Sequence, residues 1–384
     1  MKTIIAIIAA AAAAFPVWSA SMLEDNNLYL PDEASPAYKQ KAAERYGTLW
    51  DAYVAYGFWH THHAKPNTCS RSNNLLAHVY ANQRLLSNDT HGGTWLTLEF
   101  EGSWGLDRSS ARESRYFVLG YGTVKDPHSD ARGAHTGVLP ELALMQFLAH
   151  KRVCITAGML DLTNYLDCVS PANNTYDSFV NDVFVNSSVL PLQEANLAAM
   201  VQWQFAERDA ATLAFTRCGC EAGYNPFHSR SIDGYALLGE YRHDFQDMGC
   251  ILRFNPFVKH THADTNGGLC ASVEMAPCDC ARFFLRSGMT VRQTESCNCF
   301  DLSLGTHLHL IPARKDDFLG IAWGVFKPAL KADHSREQAL EITYCLQLTD
   351  WFRVMPHFQY IHNPAYRNDT RDEALWGVQA VFAF

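Results

Sequence analysis

Glu99, Glu101, Glu240, Arg242, Arg282, Arg286, Glu341, Arg353 and Gln359 all lie in segments where apolar residues return at every second position. Asp244, Arg253 and His357 share that setting. Successive side chains of an extended chain point to opposite sides, so these polar groups must leave through one face and Leu, Ile and Tyr through the other. If the apolar face meets hydrocarbon, the charged face meets water, because a base at a bilayer midplane costs about 2–4 kcal/mol and an acid somewhat less. The set mixes acids and bases. Such a lining concentrates neither cations nor anions, but it offers bidentate donors and acceptors to hydroxyl groups, with aromatic rings for apolar C–H faces. Any single charge could instead pair across the wall and brace it, so the functional claim belongs to the set.

The other reactive residues lead elsewhere. The chain has 12 cysteines, among them the Cys-x-Cys pairs Cys218/Cys220, Cys278/Cys280 and Cys297/Cys299. In an exported chain neighbouring thiols pair, and the expectation is disulfides that tie loops together. The Cys-x-x-Cys of a zinc ribbon is missing. His60, His62 and His63 cluster, and His307 and His309 share a strand face. Either group could hold a metal, yet uncommitted histidines are commoner, so no metal and no cofactor are assigned. There is no Gly-x-Ser-x-Gly elbow, His-Glu-x-x-His or phosphate loop, and the chain is not read as an enzyme. A formal charge of -9, with no basic cluster longer than Ala313-Arg314-Lys315, argues against a nucleic-acid partner.

The elements that present these side chains follow from the same alternation. At the C-terminus Ala374, Trp376, Val378, Ala380, Phe382 and Phe384 form one apolar row up to the final carboxylate. Similar segments recur near 47–60, 73–86, 92–104, 138–149, 152–160, 197–206, 210–217, 234–245, 250–258, 269–276, 281–292, 302–311, 317–326, 337–348, 351–361 and 373–384. That gives an all-β fold: a transmembrane antiparallel β-barrel of sixteen strands, an even number that brings both ends to one rim. Links alternate between short turns and long loops, including 259–268 among the long ones. The large link from Asp161 to Asn196 follows the fifth strand and is expected to fold into the lumen, with Asn173, Asn174, Phe179, Asn181, Phe184 and Asn186 lining a passage. Pro356 is expected to mark a bulge or local twist. Residues 1–20 read as a secretory signal: Lys2, an apolar run from Ile4 to Ala14, then small residues. Residues 21–46 are an N-terminal segment whose Pro36–Tyr46 stretch suggests a short helix capped by Ser35, either outside the barrel or inserted into the pore, and 47–384 are the barrel.

Four stretches resemble the carbohydrate-selective porin family, the OprB-type outer-membrane porins. Ala157-Gly158-Met159-Leu160-Asp161 is similar to the family's Gly-Lys-x-Asp element, with Met159 at the usual Lys. Phe179 through Asn186-Ser187 and Pro191 resembles its Phe-x-Asn-Ser loop. Arg314, Asp317 and Gly320 resemble an Arg-x-x-Asp-x-x-Gly turn, and Glu337, Glu341 and Tyr344 a Glu-x-x-x-Glu strand. The most specific block is Met355-Pro356-His357-Phe358-Gln359-Tyr360-Ile361-His362-Asn363-Pro364, similar to Gln-Pro-x-x-Gln-Tyr-Ile-x-Asn-Pro. The resemblance runs over residues 140–384. It implies a porin of the bacterial outer membrane, surrounded by lipid, that lets small neutral sugars diffuse passively, with a homotrimer as one assembly. A general porin without sugar preference, and an adhesive or structural barrel with disulfide-linked loops, are the alternatives.

Overall fold

The computed structural model describes residues 22–31, 35–61, 71–87, 92–106, 135–173, 175–192, 195–218, 234–262, 264–292, 298–327, 336–364 and 372–384. The expected signal, residues 1–20, lies outside them. Sixteen strands follow one another: β1 (Thr48–Thr61), β2 (Arg71–Leu86), β3 (Thr94–Gly105), β4 (His135–Leu148), β5 (Val153–Leu160), β6 (Asn196–Gln204), β7 (Asp209–Cys218), β8 (Gly234–Phe245), β9 (Cys250–Thr261), β10 (Thr265–Cys278), β11 (Ala281–Thr290), β12 (Phe300–Leu308), β13 (Phe318–Lys327), β14 (Glu337–Thr349), β15 (Phe352–His362) and β16 (Glu373–Ala383). Each pairs antiparallel with its sequence neighbours, and β16 closes on β1 with Tyr53 opposite Ala383 and Thr61 opposite Leu375. Closure leaves no open sheet edge, which a spanning sheet in hydrocarbon cannot tolerate.

The alternation read from the sequence is the alternation of the wall. In β16 Trp376 and Val378 are exposed outside, whereas Leu375, Gln379 and Val381 are buried inside. Leu144, Leu213, Val258, Leu285 and Leu304 also face outward. Among the described residues no helix is long and apolar enough to cross a membrane, and the strands form the apolar outer surface.

Two local expectations change. The link placed at 259–268 shortens to the residues between Thr261 and Thr265, because β9 and β10 extend to those positions and pair His260 with Thr265. Pro356 causes no slip: Thr343 pairs with His357 and Leu346 with Val354 in one register. Among the register shifts in the wall is one at Pro140, where Glu99 pairs with Glu141 but Glu101 with Val138, so that Leu139 and Pro140 share the place opposite Phe100. A proline lacks the N–H a ladder needs, and a bulge releases that demand.

Among the described residues two helices precede the barrel. α1 (Met22–Asn27) was not expected and is the one that enters it. Leu23 and Leu28 pack with Leu49, Trp95, Met145, Phe147, Cys154 and Ala210. Met22 N donates to Gln204 Oε1 at 3.1 Å, Tyr29 N donates to Asn82 Oδ1 at 3.0 Å, and Lys151 Nζ bonds Glu24 at 2.6 Å, all near the short-turn rim. α2 (Ala37–Tyr46), the expected helix, buries no residue and leans on β1 through Tyr38 stacked on Trp50 and Lys39 bonded to Asp51. Pro36 occupies its N-cap with no side-chain hydrogen bond, and Ser35 contributes its carbonyl to Gln40 Nε2 instead. Gly47 ends the helix at φ 63°, the left-handed conformation that a glycine adopts at little cost.

Candidate functional site

The described residues of the connection from β5 to β6, 161–173, 175–192 and 195, lie inside the barrel and bond to much of its inner wall. Asp161 begins the excursion by accepting from Thr163 N at 2.8 Å and Thr163 Oγ1 at 2.6 Å. Asp167 then meets Arg286 of β11, both side chains fully buried, with Nε 2.9 Å from Oδ2. The same guanidinium donates to the carbonyls of Phe184 (2.9 Å) and Val185 (3.1 Å), while Ser187 N donates to Asp167 Oδ2 at 2.7 Å. Asp301 of β12 accepts from Ser187 Oγ at 2.7 Å and from Val189 N at 3.2 Å. Glu341 of β14 accepts from Val180 N and Asn181 N, each at 3.0 Å, and bonds His357 Nδ1 at 2.9 Å. The wall thus supplies charged acceptors for backbone N–H groups of a connection that has few of its own partners, which removes the cost of burying them. Apolar packing completes the seam: Phe179 and Phe184, with a short helix α3 (Asp182–Val185), press on Phe284, Ala322, Phe326 and Ala339. A Cβ at Gly320 would sit 2.7 Å from Thr343 and 3.2 Å from Phe179, so only glycine lets the ring lie this close.

The nine polar residues singled out from strand phase divide by what they touch. Glu99, Glu240, Arg286, Glu341 and Gln359 are buried and hold the connection: Asn164 Nδ2 donates to Glu99 at 2.8 Å, Asp167 N to Glu240 at 2.8 Å and Asn181 Nδ2 to Gln359 at 3.2 Å. Glu101, Arg242 and Arg353 are half-buried and Arg282 is exposed. Arg282 and Arg353 stand near the short-turn rim, where both attract the carboxylate of Asp177. Of the loop residues, Phe179, Asn181 and Phe184 are packed into the seam rather than bordering open space. Asn186 is half-buried, Asn173 borders a cavity, and Asn174 lies outside the described residues.

Strand phase brought forward Glu99 but not the aromatic residues and the second carboxylate grouped with it beside the connection. His78 of β2 bonds Glu99 at 2.5 Å and Tyr176 Oη at 3.0 Å, and Tyr176 stacks on Tyr53 with centroids 5.1 Å apart. Tyr165 Oη donates to Glu141 at 2.6 Å, and Thr97 Oγ1 donates to the same oxygen at 2.5 Å. Glu141 and Glu274 are detectable by period two once their strands are placed. Tyr165, Asp167 and Tyr176 sit in an irregular segment where no periodicity exists to find them.

The turn that follows β12 carries its own ion pair. Arg314 bonds Asp317 through Nε at 2.5 Å and Nη2 at 3.1 Å, and Gln347 N donates to Asp317 Oδ1 at 2.9 Å. Desolvation pushes the Asp317 carboxyl up, but Arg314 and the Gln347 amide outweigh it and hold it below the ordinary carboxylate value.

The disulfide expectation is met in part. Cys278 and Cys280 form a disulfide within the β10–β11 turn, joining near neighbours instead of separate loops. Among the described residues Cys154, Cys168, Cys250, Cys270 and Cys345 are free, and burial pushes the Cys168 thiol up to about 12. Cys69, Cys220 and Cys297 lie outside the described residues, as do His62 and His63. His307 stacks on Phe318 at 4.0 Å and bonds Ser178 Oγ at 3.2 Å.

A sixteen-stranded barrel whose fifth connection is folded inside and pinned to the wall defines a porin-type channel. Residues 292–384 match the family described as carbohydrate-selective porin, OprB family. The chain is therefore similar to that family, as the motifs around Arg314, Glu341 and His357 indicated. Among solved structures, OprB of Pseudomonas putida at high pH superposes with a TM-score of 0.71 at 12% identity, covering 91% of this chain and 96% of that one. Its low-pH form gives 0.54 at 10% identity, covering 90% and 95%. A triple mutant of the Rhodopseudomonas blastica porin gives 0.57 at 10% identity, covering 88% and 100%. At such identities these likenesses establish the fold. No curated protein matches the chain by sequence. Family match and barrel together support the carbohydrate-porin function read from the sequence, and a passive channel rather than an enzyme.

Proposed function

We propose that the chain resides in the bacterial outer membrane and lets small neutral carbohydrates diffuse down their gradient through the space left beside the β5–β6 connection. One observation carries this reading: the inner wall presents acids and bases together, and the buried ones are neutralised by one another or by the connection, as in Asp167–Arg286 and Arg253–Glu274. A lumen so balanced offers hydrogen bonds without a strong field, which suits uncharged polyhydroxylated solutes better than ions. The half-buried or exposed members Glu101, Arg242, Arg282 and Arg353 are the side chains a passing solute would meet, with Asn173 on the inward connection. The apolar outer surface supports lipid as surroundings. Assembly into a homotrimer extends the reading, supported by the porin-type barrel, and the mass of the detergent-solubilised protein tests it.

Planar-bilayer currents test the transport claim. Glucose added to the bath is expected to reduce the ion current reversibly, and liposomes carrying the protein are expected to swell in glucose. A conducting channel that glucose never blocks would be a general porin. No swelling at all would favour the plugged, adhesive barrel.

A further inference from the structure

α2 is tied to the barrel along one side only. None of its ten residues is buried, and a helix of that length is marginal in water unless a face of it packs on something. Its ties are made by Lys39, which bonds Asp51 at 2.5 Å and lies 4.9 Å over the Trp50 ring, and by the half-buried Ala43, which packs toward Leu49 and Trp95. The opposite side carries a different set. Tyr38, Lys41 and Arg45 stand at i, i+3 and i+7 and so share one stripe, all of them exposed, with Tyr46 at its edge. The two tyrosines are 54% and 60% exposed, a large aromatic area for a helix that meets nothing but water.

The neighbours of this stripe fix its depth. Trp50 opens the row of β1 that points away from the lumen, since Leu49, Ala55 and Trp59 of the other phase are buried inside. Tyr38 stacks on Trp50 with centroids 6.0 Å apart, so the stripe continues the apolar outer surface. On the same rim Phe352 and Trp351 stack on Phe382 at 4.6 and 5.9 Å, and Phe384 exchanges backbone hydrogen bonds with Ala52. Aromatic girdles mark the headgroup level of a barrel and short turns its periplasmic end, so α2 stands among the headgroups of the periplasmic leaflet. Charge then selects the partner. Asp51 is neutralised by Lys39, and Glu44 is the single acid in α2, whereas Lys41 and Arg45 project outward and the exposed Arg84 lies beside the helix end, its N–H donating to the Gly47 carbonyl at 2.8 Å. Basic groups flanked by aromatic rings fit an anionic headgroup with its acyl chains, and a zwitterionic headgroup, which brings a cation of its own, gains less.

We propose that α2 is a binding surface for anionic phospholipid of the periplasmic leaflet, with Lys41 and Arg45 on the headgroup phosphate and Tyr38 and Tyr46 against the glycerol and upper acyl region. The proposal rests on the outer-membrane reading above. The test is amide hydrogen exchange of residues 37–47 in the full-length protein, held in neutral detergent and titrated with phosphatidylglycerol. Exchange in the helix is expected to slow as lipid binds, and the half-saturating lipid concentration to rise about fivefold for Lys41→Gln or Arg45→Gln and about twenty-five-fold for both together. Glu44→Gln is expected to lower it, a change of opposite sign that a mere loss of helix does not produce. These side chains are exposed, so the variants should close their barrels, which heat-modifiable migration in gels checks. A double variant that responds like the parent would overturn the site. Equal protection by phosphatidylcholine would overturn the selection by charge, and the same protection by inorganic phosphate would overturn the choice of a lipid. Each of those outcomes leaves the channel and its sugar passage intact, whereas a parent protein that inserts into no bilayer would overturn the outer-membrane reading together with this one.

Discussion

Arg286 shows how much one inward residue can carry. Its guanidinium reaches the Asp167 carboxylate and three carbonyls of the connection with no exposed surface on either charged side chain. Replacing Arg286 with Met leaves Asp167 buried opposite an alkyl chain, and breaking such a pair costs about 3–5 kcal/mol. The expected result is a urea-unfolding midpoint well below that of the parent protein, with a more protease-sensitive β5–β6 connection. A midpoint equal to the parent's would mean that the pair contributes little to anchoring. Residues of this kind were legible in part: strand phase put Arg286 and Glu341 on the wet face, but gave no hint that loop backbone, rather than solute, would meet them.

At the level of elements, the inward connection is held by a short series of wall acceptors, and the family-like motifs coincide with them. Glu341 takes two amides of the connection, Asp317 ties the turn before β13 to β14, and Gly320 makes room for Phe179. Glu341→Ala strands the N–H groups of Val180 and Asn181 and should cost about 3 kcal/mol, with a higher and noisier sugar-free conductance as the connection loosens. Conductance traces indistinguishable from the parent's would argue that Phe179 packing alone suffices. Asp317 gives a pH signature. Its carboxyl is held below the ordinary value in the folded protein, so its contribution is complete above the unfolded carboxylate value of about 4 and fades as pH falls through the lower folded value. The stability gap between the parent and Asp317→Asn should therefore be constant from about pH 6 upward and shrink below about pH 4. A gap that widens in acid would contradict the assignment. Among the helices, α2 was foreseeable from its Ser35-Pro36 start, whereas α1 was not, since six residues are too few for a periodic signal.

The molecule as a whole is an apolar cylinder around a polar, partly filled interior. Leu304 points outward in the middle of β12, 43% exposed, and Leu304→Arg should destabilise the barrel by about 2–4 kcal/mol in lipid while changing little of the lumen. Equal stability in lipid would place that surface against protein or water. Strand number, antiparallel order, inside and outside faces and the existence of a long fifth connection were all determined by the sequence alone, because a two-residue period ties each side chain to one face whatever surrounds it. Tertiary structure decided the rest: that Pro140 and not Pro356 sits at a bulge, that Cys278 pairs with Cys280, that α1 enters the barrel, and that Phe179 and Asn181 anchor while Asn173 borders a cavity. Those outcomes depend on which segments meet across the lumen after closure, and contacts between residues a hundred positions apart leave no period for a sequence to display.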